Sequence, residues 1–304
     1  MTHGPESPAH AVQQRALAAG LMLVVLWGAS FTIQKIAYNG LGPGGFVFGR
    51  ALLMAVCALG LLALRGRFRW PQLSRPEWRN LLTLTAVGPV AHILMVTYGI
   101  HWSTPFSSSL ILACGPVFTL LLMRFGHGTR LHRQQVLGVA LALAGVLVFM
   151  GDKLLGADWR AGGGDLLLLV AAALFSAYTV GIAPLIVRHG GVDVTCWTMV
   201  LACPALMLAT AVPAWHAPFA TAGATTWVAF FWAVLVSAFM GWMLWGWINA
   251  VRGVARTAPL MYLIPPVAGL VAWLTVGETF GVQKIIGAAL ALAGVAWAQW
   301  APRR

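Results

Sequence analysis

Trp27, Ser30, Phe31, Gln34 and Tyr38 recur at spacings of three and four residues, so an α-helix would carry all five on one face. That face would be aromatic and polar together. A stripe turned to lipid rarely includes a glutamine, because burying an amide without a hydrogen-bond partner costs on the order of 1–3 kcal/mol. The face is therefore expected to line a solute cavity, with packing between helices as the alternative. His92 is the only histidine well inside an apolar stretch, on a helical face shared with Gly88, Met95, Gly99 and, at its outer end, Trp102. An ionisable group inside a membrane is a candidate for solute contact or proton transfer, and a neutral histidine bonded between helices is the competing expectation. Ser108, Tyr178, Trp242, Asn249 and Tyr262 add further polar or amphipathic groups within apolar stretches.

The carboxylates are informative by position. Glu6, Glu77, Asp152, Asp158, Asp165, Asp193 and Glu278 all map to connections or span ends, which argues against proton exchange centred on a mid-membrane carboxylate. With His92 the remaining central proton carrier, passage driven by the solute gradient is favoured over obligatory antiport. A solute bound by hydroxyls, an amide and aromatic rings would be neutral or weakly charged, and an amino-acid zwitterion fits. Lys35 is expected to snorkel outward. Arg50 lies deeper and needs a partner: a carbonyl, a lipid phosphate, Glu278 or a substrate carboxylate. Gly28-Ala29-Ser30-Phe31 also resembles the nucleophile pattern of intramembrane serine hydrolases, with His92 as base. In a chain holding 34 glycines, so short a match is expected by chance.

Elements that could hold these groups follow from composition. Sixty per cent of the 304 residues are hydrophobic, nine per cent are charged and fifteen are tryptophan, against roughly a quarter charged in soluble domains. Apolar stretches fall near 16–38, 44–64, 79–100, 104–124, 132–150, 163–185, 192–213, 225–248, 255–276 and 281–300. Each is long enough to cross a ~30 Å hydrocarbon core as a helix. The fold class expected is an all-α polytopic membrane protein with ten transmembrane helices.

The net charge of +12 reports orientation and not a nucleic-acid partner. Arg15, Arg65, Arg67, Arg69, Arg75, Arg79, Arg124, Arg130, Arg133, Arg188, Arg252, Arg256, Arg303 and Arg304 fall on one side of a ten-span chain, while Lys153, Arg160 and Lys284 fall on the other. This asymmetry places both termini in the cytoplasm. Cys57, Cys114, Cys196 and Cys203 sit within apolar spans without CxxC spacing, so neither a disulfide nor a metal site is expected. No Walker A pattern occurs and no cofactor is called for.

Residues 134–146, QQVLGVALALAGV, return at 283–295 as QKIIGAALALAGV, nine of thirteen identical at an offset of 149. The chain is a duplication, divided as a tail at 1–15, a first repeat at 16–150, a periplasmic linker at 151–162 and a second repeat at 163–304. Five spans per copy make the repeats inverted, the arrangement from which many carriers build alternating access. Gly138, Ala142 and Gly145, with Gly287, Ala291 and Gly294, form small-residue stripes suited to close packing. Pro116 pairs with Pro265 at the same offset. These prolines and the adjoining Pro266 are expected to kink or hinge their spans and to free carbonyls.

WGASFTIQKIA at 27–37, Arg50 opening the second span, Gly277-Glu278 closing the ninth and the two (L/I)GxALALAGV helices resemble the EamA-type branch of the drug/metabolite transporter superfamily. The resemblance covers nearly the whole chain. It implies a small-metabolite carrier, frequently an exporter of amino acids or related compounds; a bacterial inner-membrane carrier with no obligate protein partner is the expectation. Within that branch, the many tryptophans and sparse charge resemble the aromatic amino-acid exporter group, and a proton-coupled drug/metabolite antiporter is the alternative. Thr129 stands where the family often has the glutamate that the second copy keeps as Glu278, so Glu278 is expected to act as a cap or ion-pair partner.

Overall fold

A 57-residue helix would be about 85 Å long at 1.5 Å per residue, nearly three times the hydrocarbon thickness of a bilayer. The first element, α1 (Pro8–Leu64), has this length and is folded back on itself at Gly42. The Gly42 backbone, at φ 71° and ψ 154°, is open to glycine and strained for other residues, and Pro43 follows with no N–H to continue the ladder. Contacts establish the reversal. Gly40 lies against Thr226, Gly49 against Phe230, and Trp27 bonds to Ser237, so both arms descend from the same end of one neighbouring helix. Neighbouring glycines let the turn seat tightly: a Cβ on Gly44 would be 2.5 Å from Pro213, and one on Gly45 2.6 Å from Ala217.

The computed structural model describes residues 8–67, 71–126, 128, 131–155, 159–252 and 258–299, and every regular element among them is helical. After α1 come α2 (Arg75–Trp102), α3 (Pro105–Gly126), α4 (Arg133–Leu155), α5 (Trp159–His189), α6 (Gly191–Trp215), α7 (224–252), α8 (Leu260–Val276) and α9 (Val282–Gln299). Counting α1 twice gives ten crossings. Glu6, Arg69, Thr129, Arg130, Asp158, Arg256, Arg303 and Arg304 lie outside the described residues, as do the side chains of Asn249, Asp152, Lys153 and Arg160.

Helix ends differ from the apolar stretches where polar groups carry the helix onward. Gln13 Nε2 donates to the Val251 carbonyl at 2.8 Å and Arg252 donates to the Gln13 carbonyl, and α1 accordingly begins at Pro8. At α2 the carboxylate of Glu77 reaches back to the Ser74 N–H at 2.9 Å, drawing the start to Arg75.

The duplication is visible in three dimensions as an antiparallel pairing of α4 with α9. A Cβ on Gly138 would be 2.4 Å from the Ala298 nitrogen, and one on Gly145 2.2 Å from that of Ala291. Adding 149 to one partner and subtracting it from the other gives Gly287 against Phe149 at 2.5 Å and Gly294 against Ala142 at 2.3 Å. Each contact thus recurs with the copies exchanged, which is what a two-fold axis between inverted repeats requires. The small-residue seam joins the two halves of one chain.

Repeat-related irregularities mark the interior. The proline-bearing helices break alike: α3 turns at Cys114 and resumes at Gly115, while a 3₁₀ stretch, Ala258–Leu263, leads into α8 and gives way to α-helix at Ile264. Pro116, Pro265 and Pro266 each sit in the first turn of the resumed helix, where a missing N–H costs little. The prolines therefore divide their helices instead of bending continuous ones. The repeat-related pair α2 and α7 each contain a π-helical stretch, Ala86–His92 around Pro89 and Trp232–Met240.

The largest buried cluster draws on both copies, with Tyr38, Phe46, Ile100, Leu110, Phe149, Leu168 and Phe230 at its centre. Outside, Leu52, Val56, Leu147, Leu208, Trp273 and Ile285 are exposed. In water these would be an aggregation surface, whereas in a bilayer they are the lipid contact.

Candidate functional site

The α1 face predicted from periodicity carries a hydrogen-bonded row. Tyr38 Oη donates to Gln34 Oε1 at 2.7 Å, and Gln34 Nε2 donates to Ser30 Oγ at 2.9 Å. One helical turn separates each member from the next, so the helix itself sets the spacing. Tyr38 and Ser30 are buried and Gln34 is half-buried. Thr97 of α2, fully buried, lies beside the Tyr38 phenol with no hydrogen-bond partner of normal geometry. Phe46 packs edge-on to Tyr38 at 4.6 Å between ring centroids, and Phe230 packs on Phe46 at 5.4 Å.

Toward the chain termini the row meets an aromatic chain that crosses four helices. Trp27 contacts Trp242 at 5.8 Å and Trp245 at 5.9 Å; Trp242 contacts Phe175 at 5.5 Å; Phe175 contacts His92 at 5.1 Å. Both π-helical stretches adjoin this chain. Trp27 Nε1 donates to the Ser237 carbonyl, inside one of them, at 2.9 Å, and His92 closes the other. A π turn displaces backbone groups from the regular ladder, which is why such turns gather at functional sites. Gly241 admits the Trp27 indole, since a Cβ there would lie 2.6 Å from its nitrogen. His92 Nδ1 is 2.9 Å from the Ala171 carbonyl. A carbonyl only accepts, so Nδ1 carries the proton and a neutral ring presents Nε2 as an acceptor.

Other predicted residues stand around this site or apart from it. Phe31 and Met95 pack on the large core cluster. Tyr178 lies over Gly88 in the π stretch of α2, where a Cβ would be 2.4 Å from its ring. Tyr262, in the 3₁₀ stretch, has a buried hydroxyl without a hydrogen-bond partner among the described residues. Ser108 is fully buried and donates to the Thr104 carbonyl within its own helix. Trp102, at the far end of α2, is 41% exposed and touches Tyr98. At the Pro116 break the Gly115 carbonyl is taken by Ser176 Oγ at 2.9 Å. Ser30 and His92 form no nucleophile–base pair, since each is bonded elsewhere. Phe46, Thr97, Phe175, Phe230 and Trp245 escaped sequence reasoning. Only Trp245 left a signal there, lying one turn beyond Trp242.

Ionic groups close the two ends. At the end carrying the Gly42 turn, Lys35 donates to the Ser103 carbonyl and Ser103 Oγ donates to the buried carboxylate of Asp165. Glu278 there accepts from the Phe106 N–H in the first turn of α3. At the end carrying the termini, Arg67 meets the buried Asp193 at 2.5 Å, and Glu77 accepts from Arg188 at 2.7 Å.

The EamA-like transporter family matches residues 14–151 and matches again over 162–299. The chain belongs to the EamA-like transporter family. Its relatives include a probable terminal-alkyne amino-acid exporter of Streptantibioticus cattleyicolor, 29% identical over 92% of both chains. A probable amino-acid metabolite efflux pump of Escherichia coli is 26% identical over 90% of this chain and 91% of its own. A crystal structure overlays on the chain with a TM-score of 0.64, covering 95% of this chain and 99% of that one; at 17% identity this likeness is one of fold. The EamA-like chain is a multi-pass membrane transporter of small metabolites.

Proposed function

We propose that this EamA-like carrier exports amino acids, aromatic or other neutral ones, across the bacterial inner membrane by alternating access. The observation that carries the reading is the Ser30–Gln34–Tyr38 row running into the Trp27–Trp242–Phe175–His92 chain. Hydroxyl and amide groups suit the polar end of an amino acid, and tryptophan faces suit an ammonium group or an apolar side chain. A cation over a tryptophan face gains about 0.5–2 kcal/mol, depending on how far it is desolvated. The printed names of the Streptantibioticus and Escherichia coli relatives support the same substrate class. Both termini face the cytoplasm, since Arg65, Arg67, Arg75, Arg79, Arg124, Arg133, Arg188 and Arg252 all occupy the end of the bundle where α1 begins.

Inverted symmetry supplies the transport cycle: two near-equivalent conformations interchange when the halves swap shapes. The transport is driven by the substrate gradient. A proton-coupled cycle is the second reading, and His92 favours it as a titratable ring inside the bundle. Counterflow of radiolabelled amino acids in proteoliposomes, with and without an imposed pH gradient, separates the two. Saturable flux indifferent to the gradient supports the uncoupled carrier; flux that needs the gradient supports the coupled one; absence of amino-acid flux sinks both as amino-acid readings.

A further inference from the structure

Arg50 carries a charge with no counter-charge among the described residues. It lies eight residues past Gly42, about 12 Å along its helix at 1.5 Å per residue. Phe46 and Met54, one turn to either side, belong to the large buried cluster, whereas Leu52 and Val56 on the opposite face are exposed. This side of the helix therefore faces the protein and not the lipid: the Phe46 ring, one turn from Arg50, packs on Tyr38 at 4.6 Å, and Tyr38 of α1 and His92 of α2 lie within electrostatic reach of the guanidinium. Among the described residues it makes no ion pair and no hydrogen bond. The described carboxylates are engaged elsewhere: Glu77 with Ser74 and Arg188, Asp165 with Ser103, Asp193 with Arg65 and Arg67, Glu278 with Phe106. Arg50 is half-buried, and an unpaired charge within a membrane-spanning segment is costly and marks a functional site by default.

We infer that Arg50 is the carboxylate-binding group of the substrate site, pairing with the α-carboxylate of the transported amino acid between Tyr38, Thr97 and His92. The inference deepens the amino-acid reading above and rests on it. A guanidinium presents parallel N–H donors that match both oxygens of a carboxylate, and the apolar Phe46 and Met54 flank it on the same helical face. Thr97, buried beside the Tyr38 phenol, offers the same anion a neutral hydroxyl donor. A carboxylate held there leaves the rest of the molecule to extend along the Gln34 and Ser30 turns toward the tryptophans.

The test is competition against radiolabelled L-phenylalanine and L-leucine on the purified full-length carrier, using unlabelled L-phenylalaninamide, which lacks the carboxylate, and 3-phenylpropionate, which lacks the amine. Direct thermal shifts are measured with each compound. The expected result is that the amide competes at least tenfold less well than phenylalanine and that 3-phenylpropionate binds. R50Q is expected to erase this difference while remaining monodisperse in detergent, and R50K to keep part of it. An amide as good as the amino acid on the unaltered protein overturns the inference and leaves the amino-acid reading standing, with no variant needed. Binding of 3-phenylpropionate that depends on Arg50, without binding of any amino acid, keeps the carboxylate subsite and overturns the amino-acid reading. Failure of every carboxylate to bind overturns both.

Discussion

Tyr38 Oη donates a hydrogen bond to Gln34 Oε1 across 2.7 Å, which leaves Gln34 Nε2 turned to Ser30 Oγ and fixes the orientation of the amide. A glutamine held at both ends has little rotamer freedom left to lose when a solute arrives. Preorganisation of this kind lowers the ordering cost of binding, and it supports the solute-binding role proposed for the row.

Gln34→Leu is therefore expected to leave the Tyr38 hydroxyl without its acceptor in a buried place, costing about 1–3 kcal/mol. Because the row is proposed to hold the solute, transport should fall by about five- to a hundredfold, 1.4 kcal/mol being a factor of ten, while Gln34→Glu, which keeps an acceptor for Tyr38, should retain more. Flux in proteoliposomes, normalised to monodisperse protein, reads both. Equal flux in Gln34→Leu and the parent would place the row outside the transport path.

The seam between α4 and α9 makes a stability prediction. Gly145→Ala places a methyl group where the Ala291 backbone nitrogen is 2.2 Å away, and backbone cannot swing aside as a side-chain tip can. Overpacking of this kind costs about 1–3 kcal/mol, seen as a lower melting temperature in detergent. Gly246→Ala is the control: nothing lies within 4 Å of its Cβ position, and alanine in a helix is better than glycine by about 0.5–1 kcal/mol. The pair should shift in opposite directions.

The two positions also mark what sequence can and cannot tell. ALALAGV repeated at a fixed offset announces both the duplication and a small-residue seam, because helix packing depends on residue size, which is written in the letters. Likewise Gly42-Pro43 lies between two apolar runs and can be read as a turn. The π stretches left no trace, since a ladder widened from i→i+4 to i→i+5 over seven to nine residues barely disturbs an apolar pattern. Facing was equally hidden. Periodicity puts Phe46, Arg50 and Met54 on one side of a helix, yet only the fold says that this side looks inward, and only the fold brings Phe175 between His92 and Trp242. Ser108 and Trp102 have the right chemistry, but one spends its hydroxyl on its own helix and the other ends at an exposed rim.

At the end carrying the Gly42 turn, Asp165 is fully buried and accepts the Ser103 hydroxyl, while Ser103 offers its carbonyl to Lys35. Removing one member strands the others, and a buried charged group that loses its partners costs about 3–5 kcal/mol. Asp165→Leu is expected to lower the melting temperature sharply, and Asp165→Asn, which keeps an oxygen acceptor for Ser103, to lower it less. Thermal unfolding of the purified carrier in detergent checks the order. Identical loss in both would mean that charge alone, and not the acceptor geometry, holds the cluster.

His92 decides between the two energetic modes, and the geometry says how to ask. Its Nδ1–H is committed to the Ala171 carbonyl at 2.9 Å, and its ring stacks at a tilt on Phe175. If the ring's work is to donate this one hydrogen bond and carry the aromatic chain, then an amide nitrogen placed where Nδ1 stood can replace it in part. Asparagine does that, because its Nδ2 occupies nearly the same position along the side chain, and it cannot take up or release a proton near neutral pH. His92→Asn is accordingly expected to keep measurable flux, to within about tenfold of the parent given a net worth of ~1 kcal/mol for the retained bond, and to show no response to a pH gradient. His92→Leu, which abandons the Ala171 carbonyl inside the bundle, should fall further. A parent whose flux is accelerated by the gradient, beside a His92→Asn variant that has lost only that acceleration, would instead assign the proton to this ring and make the carrier an antiporter.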